Sequence, residues 1–211
     1  MFGTHDFSAF MLASFLLWIT PGPDTMYILA RGISQGRRAG VISVLGISSG
    51  LLVHSVFAAL GLSAILATSA WAFVVVKFAG AGYLIYLGVQ ALRKKATPLS
   101  VAEIGPMRGW RIYRQGVVTN ILNPKVAVFF LAFLPQFTEP GAGLGPIPFL
   151  FLGAAFVTGG ALWCLGVALC AASATQAVRR NGRLIGWLER LSGCVYIGLG
   201  LNLLRSKPHP A

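Results

Sequence analysis

The chain has 211 residues, of which 56% are hydrophobic and 10% are charged, and its formal net charge is +12. A soluble domain carries roughly 25% charged residues, so this composition excludes an ordinary soluble domain and predicts an all-α polytopic membrane protein. The positive charge does not predict nucleic-acid binding, because the basic residues lie in short connections between apolar segments, where membrane proteins place them.

Six apolar segments are each long enough to cross a lipid bilayer as a helix, which takes about 20 residues. They are residues 7–30, 41–66, 72–92, 117–137, 147–172 and 185–204. Most of the 17 Lys and Arg residues fall in alternate connections, near 31–40, 93–116 and 179–183. The positive-inside rule therefore predicts that these connections are cytoplasmic.

Orientation follows from the number of crossings. Six full crossings place both termini outside the cytoplasm, whereas a re-entrant first segment would place the N-terminus inside. We expect the first segment to be a span rather than a cleaved signal peptide, because residues 1–6 contain no Lys or Arg. Tryptophans at or near segment ends and connections are explained mostly by anchoring at the membrane interface. They are Trp18, Trp71, Trp110 and Trp187.

The two halves of the chain resemble each other, which predicts two inverted three-helix repeats within a single membrane domain, 1–211. Repeat one covers about 7–92, a cytoplasmic connection covers about 93–116, and repeat two covers about 117–204. Each repeat begins with a broken helix, continues with a long uncharged helix and ends with a Gly-rich helix before basic residues. Because each half has three spans, the second half enters the membrane from the opposite side, as in many secondary transporters.

Glycines recur at helical spacing at Gly32, Gly36 and Gly40, and again at Gly46 and Gly50. Small residues four apart allow membrane helices to approach each other closely. Packing within one subunit explains this pattern at least as well as a dimer interface does, so a homodimer remains one of two alternatives.

The first and fourth segments are interrupted near their middles, and we predict that the two breaks face each other and form a transport site. The candidate substrate-binding residues are Thr20, Pro21, Gly22, Pro23, Asp24, Asn123, Pro124 and Lys125. At 1.5 Å per residue, the first break lies roughly 16 Å from Arg31 and the second roughly 14 Å from Arg114, about half of a hydrocarbon core. Both breaks are therefore expected near the midplane, where interruptions and charges are costly and mark a function.

The residue types at each break favour the start of a half-helix. Thr20 is predicted to cap a half-helix that begins at Pro21. Asn123 is predicted to do the same ahead of Pro124, because Thr and Asn favour the N-cap and Pro fits the first helical position. Each such end presents unpaired N–H groups and the positive end of a helix dipole, which suit a carboxylate.

Lys125 adds a positive charge to the two breaks and Asp24 adds a negative one. An α-amino acid satisfies both, with its carboxylate at a half-helix end or Lys125 and its ammonium at Asp24. No spare carboxylate is available within the spans for a cationic side chain, so we expect neutral amino acids. In the alternative interpretation, Asp24 and Lys125 form a structural ion pair and the prolines serve only as kinks.

Asp24 is the only acidic residue well within a span, and export driven by proton entry needs a group of this kind. Asp24 is therefore the first candidate for proton coupling. His54 is the second, with a packed, hydrogen-bonded histidine as the alternative. No catalytic residue, metal site or cofactor is predicted, because the sequence has no paired carboxylates, no His-Glu-x-x-His motif and no Cys or His cluster. A membrane-embedded enzyme is accordingly the weaker hypothesis.

On these residues the chain resembles the LysE/RhtB family of bacterial amino-acid exporters. The motifs that carry the resemblance are Thr-Pro-Gly-Pro-Asp-Thr at 20–25, the glycine-containing stretches at 31–40 and 46–50, Gly-Ala-Gly-Tyr-Leu at 80–84, Tyr-Leu-Gly at 86–88, Asn-Pro-Lys at 123–125, Phe-Phe at 129–130 and Pro-Gln-Phe at 135–137. The resemblance implies a multi-pass exporter in the bacterial inner membrane, dimeric and driven by the proton gradient. It favours threonine, homoserine or leucine as cargo, with cationic amino acids or divalent cations as the alternative.

Overall fold

The structure, a computed structural model, describes residues 2–62, 70–93, 105–139, 143–171 and 182–205. Within those ranges the regular secondary structure is helical. The helices are α1 (Phe7–Ile19), α2 (Pro23–Phe57), α3 (Ala70–Arg93), α4 (Gly109–Ile121), α5 (Pro124–Val128), α6 (Ile147–Ala171) and α7 (Gly182–Arg205). A π-helical turn (Ala58–Leu62) extends α2, and α5 continues through a π-helical turn (Phe129–Phe133) and a 3₁₀ turn (Leu134–Phe137). The predicted all-α class is therefore confirmed.

Several of these helices are long and apolar enough to cross a membrane. By length and composition, three stretches qualify, and a fourth does if a pair that bends by 48° counts as one span. They are Pro23–Gly61, Val74–Arg93, Ile147–Cys170 and the pair Gly109–Ile121 with Pro124–Phe137. Helix α1 is a shorter apolar helix of 13 residues. Within the described residues, helices cover the six predicted segments except at the two breaks. Residues 63–66 and 172 of the predicted segments lie outside the described residues. The arrangement of six crossings stays a prediction.

Helix α2 turns sharply at Gly36, whose φ of 81° and ψ of −177° are not helical. Glycine adopts such a positive φ without steric cost. On the two sides of the turn, a Cβ at Gly40 would lie 3.4 Å from the Cα of Gly32, whereas residues eight apart in a straight helix are roughly 12 Å apart. The helix therefore consists of two arms, α2a (23–35) and α2b (37–57), folded against each other.

This turn corrects the connection predicted at 31–40. Helical structure extends into that stretch from both sides, and only Gly36 departs from it. A longer loop is not needed because one glycine in the left-handed region reverses the chain.

Glycines bring the helices of the chain into close contact. A Cβ at Gly116 of α4 would lie 3.2 Å from the Cα of Gly46 in α2b. A Cβ at Gly40 would lie 3.2 Å from Ala168 of α6. Helices α3 and α7 approach in the same way, since a Cβ at Gly193 would lie 2.8 Å from the carbonyl oxygen of Gly88. These contacts are within one chain, so they support the packing interpretation of the glycine pattern.

The N-terminal segment is held against the end of the second broken helix. The Glu139 amide donates to the carbonyl of Gly3 at 2.9 Å, and the His5 amide donates to the carbonyl of Phe137 at 3.1 Å. Beneath this strap, a buried aromatic cluster joins α1, the continuation of α5 and α6. Its members include Phe10, Phe129, Phe130, Phe133, Phe137 and Phe156. The two breaks lie next to this cluster.

Candidate functional site

The first break separates α1 from α2 at residues 20–22, and its predicted cap is wrong. Helix α2 begins at Pro23, and the residue before it, Gly22, has an extended backbone and provides no side-chain cap. The hydroxyl of Thr20 instead donates to the carbonyl of Leu16 at 2.6 Å, a bond back into α1. Thr and Ser make such bonds to the carbonyl four residues earlier. Proline does occupy the first helical position as expected, but it is Pro23 rather than Pro21.

The second break has the predicted geometry. Helix α4 ends at Ile121 and α5 begins at Pro124. Asn123 is the N-cap, and its side-chain oxygen accepts a hydrogen bond from the amide of Lys125 at 3.1 Å. The cap satisfies one of the amides that a helix start leaves without a partner.

Lys125 connects the second break to the first. Its side chain is 7% exposed, and Nζ donates to the carbonyl of Thr20 at 2.9 Å and to that of Leu17 at 3.2 Å. These carbonyls belong to the C-terminal end of α1, where the helix dipole favours a cation. Gly22 lies directly beside the ammonium, because a Cβ there would be 3.2 Å from Nζ. The two breaks therefore face each other, as the sequence predicted.

Asp24 lies on the other side of the site and is 8% exposed. Its Oδ2 accepts a hydrogen bond from the amide group of Asn120 at 2.8 Å, whereas its Oδ1 is buried without a hydrogen-bond partner. The Asp24 carboxylate and the Lys125 ammonium are not within 4.0 Å of each other. Each group instead has its own polar partners. The alternative of a direct structural ion pair is thus not what this structure contains.

Asn120 connects Asp24 to His54. Its side chain binds the carboxylate, and its backbone carbonyl lies 3.2 Å from His54 Nε2. The imidazole also stacks on Phe130, with ring centroids 5.8 Å apart. Asn120 is fully buried, and Gly50 leaves room for it, because a Cβ at Gly50 would lie 2.7 Å from Asn120 Oδ1. Asn120 is not among the site residues predicted from the sequence.

A cavity of about 30 Å³ lies between Asp24 and Lys125. This volume holds one or two water molecules, so the space is smaller than an amino acid. Its walls are otherwise mainly apolar and include Leu17, Trp18, Ile47, Leu51, Val126 and Phe156.

Trp18 is a site residue that the sequence did not reveal. It lies next to the last residue of α1 and lines the cavity, and its indole N–H is buried without a hydrogen-bond partner. From the sequence it was grouped with tryptophans at the membrane interface. Trp71, Trp110 and Trp187 are exposed, but Trp18 is not. The sequence feature that could have indicated a place in the site is its position two residues before the break.

The polar groups around the cavity have complementary hydrogen-bonding capacity. Asp24 Oδ1 is an unoccupied acceptor, and the indole N–H of Trp18 is an unoccupied donor. An ammonium carries three N–H groups, of which Lys125 uses two on the carbonyls of α1, so a third remains for a ligand. One acceptor and two donors on residues that line one small cavity match the ammonium and the carboxylate of a zwitterion. In the part of the chain that the structure describes, three or more His, Cys, Asp or Glu residues do not form a group that could bind a metal ion.

The chain matches one protein-family model over most of its length. The family model described as LysE type translocator matches residues 15–207, which is most of the chain. The protein belongs to this family. It is therefore a membrane transporter and not an enzyme. No solved structure matches the chain.

Three relatives of this LysE-family protein illustrate the range of similarity. An uncharacterized membrane protein of Vibrio cholerae is 31% identical over 203 residues, covering 96% of this chain and 98% of the relative. A threonine efflux protein of Escherichia coli is 28% identical over 193 residues, covering 90% and 92%. A homoserine/homoserine lactone efflux protein of Salmonella typhimurium is 37% identical over 133 residues, covering 63% and 64%. Amino-acid efflux is thus named among the relatives.

Proposed function

We propose that this protein exports neutral α-amino acids of the threonine, homoserine or leucine type from the bacterial cytoplasm, by proton antiport. The observation that carries the proposal is the pairing of two opposite charges at equivalent places. Asp24 follows Pro23 at the start of α2, and Lys125 follows Pro124 at the start of α5. Each break thus contributes one charge to the same cavity.

In this proposal, the substrate lies with its carboxylate at Lys125 and the indole N–H of Trp18. Its ammonium donates to Asp24 Oδ1, which has no hydrogen-bond partner in the structure. Charge-assisted bonds of this kind are roughly twice as strong as bonds between neutral groups. The remaining wall is mainly apolar, and Asp24 is the carboxylate that lines it. A neutral side chain is therefore favoured over a cationic one.

Proton coupling is assigned to Asp24. A carboxylate in apolar surroundings can alternate between binding a proton and binding the substrate ammonium, which is the exchange that an antiporter needs. His54 reaches Asp24 only through Asn120, so we assign it a secondary part in which it supports the position of Asn120.

Six crossings arranged as two inverted repeats fit the packing of the last helix of each half. Helices α3 and α7 run antiparallel, as third helices of inverted repeats do. Gly193 in α7 contacts Gly88, while Gly200 contacts Ala81, which is earlier in α3. Both breaks come from one chain, so the proposed site is formed without a second subunit. Dimerisation stays a prediction from the glycine spacing and the family resemblance.

The test is efflux from vesicles that contain the purified protein under an imposed proton gradient. The internal labelled cargo is L-threonine, L-homoserine or L-leucine, with L-lysine and Mn²⁺ for the alternatives. We expect gradient-dependent loss of at least one neutral amino acid, and loss of that coupling in Asp24→Asn. Asp6→Asn, the same change at an exposed position, is the control and keeps the wild-type rate. Export of L-lysine or Mn²⁺ alone, or a wild-type rate in Asp24→Asn, would contradict the proposal.

A further inference from the structure

Arg31 lies near the end of α2a and is 2% exposed. Its Nη1 donates to Gln35 Oε1 at 3.0 Å and to the carbonyl of Gly105 at 3.5 Å. Its Nη2 donates to Gln115 Oε1 at 3.0 Å and contacts Met107 Sδ at 2.9 Å. We call Arg31, Gln35, Gly105, Met107 and Gln115 the arginine latch, because they hold α2a against α4 and the segment before it.

The positive charge of Arg31 is not matched by a negative charge within the latch. The four acceptors of Arg31 are neutral, and its Nε is buried without a hydrogen-bond partner. Among the described residues, no carboxylate lies within 4.0 Å of the guanidinium. A buried cation without an opposite charge is costly, and thioether sulfur is a weak acceptor. The planar guanidinium fork matches a carboxylate, which would make two parallel hydrogen bonds with it.

The latch and the cavity are the two ends of one polar interface between α2a and α4. At the cavity end, Asp24 accepts from Asn120. Between Asp24 and Arg31 along α2a, the hydroxyl of Tyr27 donates to the carbonyl of Ile112 at 2.7 Å. Arg31 follows Asp24 by seven residues, close to two helical turns, so both lie on one face of α2a roughly 10 Å apart along its axis. This interface therefore connects the cavity with the side of the protein that carries the basic connections.

Among the described residues, those of α4 and the preceding segment that contact Arg31 form a partly exposed layer. Gly105 and Gln115 are exposed, and Met107 is half-buried. Moving this layer would uncover Arg31 without disturbing the aromatic cluster at the other end of the site.

We propose that the arginine latch is an entry site for the carboxylate of an amino acid, and that binding there opens the interface between α2a and α4. The inference rests on the proposed function, because the ligand is the cargo itself. A carboxylate replaces the neutral acceptors with charge-assisted bonds. The oxygens of Gln35 and Gln115 are then released and can accept from the substrate ammonium. Opening is thereby linked to arrival of cargo.

Hydrogen–deuterium exchange in the backbone of residues 105–115 reports opening directly. The protein is measured in zwitterionic lipid, which removes anionic headgroups as a competing ligand. The probes are L-threonine, L-homoserine and L-leucine, each compared with its carboxamide, which lacks the carboxylate charge. We expect the amino acid that is exported to raise the exchange rate by at least about threefold, because local opening governs exchange. The carboxamide should leave the rate unchanged.

Two variants test the latch from opposite directions. Arg31→Gln should exchange rapidly without ligand and respond to none. Gln115→Glu places a permanent carboxylate beside Arg31, so it should suppress the response and slow efflux by about tenfold. Gln90→Glu makes the same change at an exposed glutamine of α3 and should behave as wild type. Lys125→Ala removes the central site but should keep the response of the latch.

The outcomes separate the latch from the proposed function. Vesicles that export an amino acid without any change in exchange at 105–115 would overturn the latch and leave the exporter intact. An equal response to amino acid and carboxamide, or wild-type efflux in Gln115→Glu, would also overturn it. Absence of both export and response would overturn the two proposals together.

Discussion

The two helix breaks present opposite helix ends to the same cavity. At the first break, the end of α1 leaves the carbonyls of Leu17 and Thr20 to be bound by the Lys125 ammonium. At the second break, the start of α5 is capped by the side chain of Asn123, which binds the Lys125 amide. Lys125 is therefore held by its backbone at one break and by its ammonium at the other.

The two breaks have similar sequences but carry opposite charges. In both breaks a proline begins the new helix and a charged residue follows it, with a negative charge at Asp24 and a positive charge at Lys125. The order of proline followed by a charged residue is thus repeated, while the sign of the charge is reversed. In the proposed function, this reversal allows the site to discriminate between the two ends of a zwitterion.

The largest expected effect comes from removing the ammonium that joins the breaks. Lys125→Met keeps an unbranched apolar stem but loses every donor to the two carbonyls and to the substrate. A hydrogen bond to a charged group contributes about 1.5–3 kcal/mol, so we expect efflux to fall between about tenfold and a hundredfold. Efflux rates in vesicles measure this. Lys77→Met, the same change in α3, is the control and should lose much less activity.

A smaller effect is expected from filling the space beside that ammonium. A Cβ in Gly22→Ala would lie 3.2 Å from Lys125 Nζ, so the lysine side chain must shift away from its carbonyl partners. We expect efflux to fall by about three- to tenfold, consistent with a loss on the order of 1 kcal/mol from a strained contact. Gly82→Ala has no atom within 4 Å of the new Cβ and should retain the wild-type rate. Equal rates in both variants would mean that Lys125 is not held as closely as the structure indicates.

The sequence predicted the features that depend on local chemistry. Proline cannot continue a preceding helix, and Asn is a strong N-cap, so the second break followed from Asn123-Pro124 alone. Charges inside apolar segments likewise singled out Asp24 and Lys125, which line the same cavity in the structure. These inferences need only the residue types and their spacing.

The remaining features depend on tertiary packing, which spacing does not reveal. Thr20 was the predicted cap at the first break, but its hydroxyl bonds back to Leu16 and Gly22 takes the N-cap position. Trp18 looked like an interfacial residue, but in the fold it lines the cavity and its indole N–H is buried. Arg31 looked like an ordinary cytoplasmic charge, although contacts with residues more than seventy positions away bury it. No local pattern encodes such contacts.

The smallest expected effect tests the difference between the two helix starts. Asn123→Ala removes a cap and should lower stability by about 1 kcal/mol, or roughly 2–4 °C in the melting temperature of a chain of this size. Thr20→Val keeps the shape and the backbone carbonyl but removes a hydroxyl that caps nothing, so its effect should stay below about 0.5 kcal/mol. Thermal unfolding of the purified variants in detergent compares them. Equal losses would mean that Thr20 caps α2 after all, and the two breaks would then be built alike.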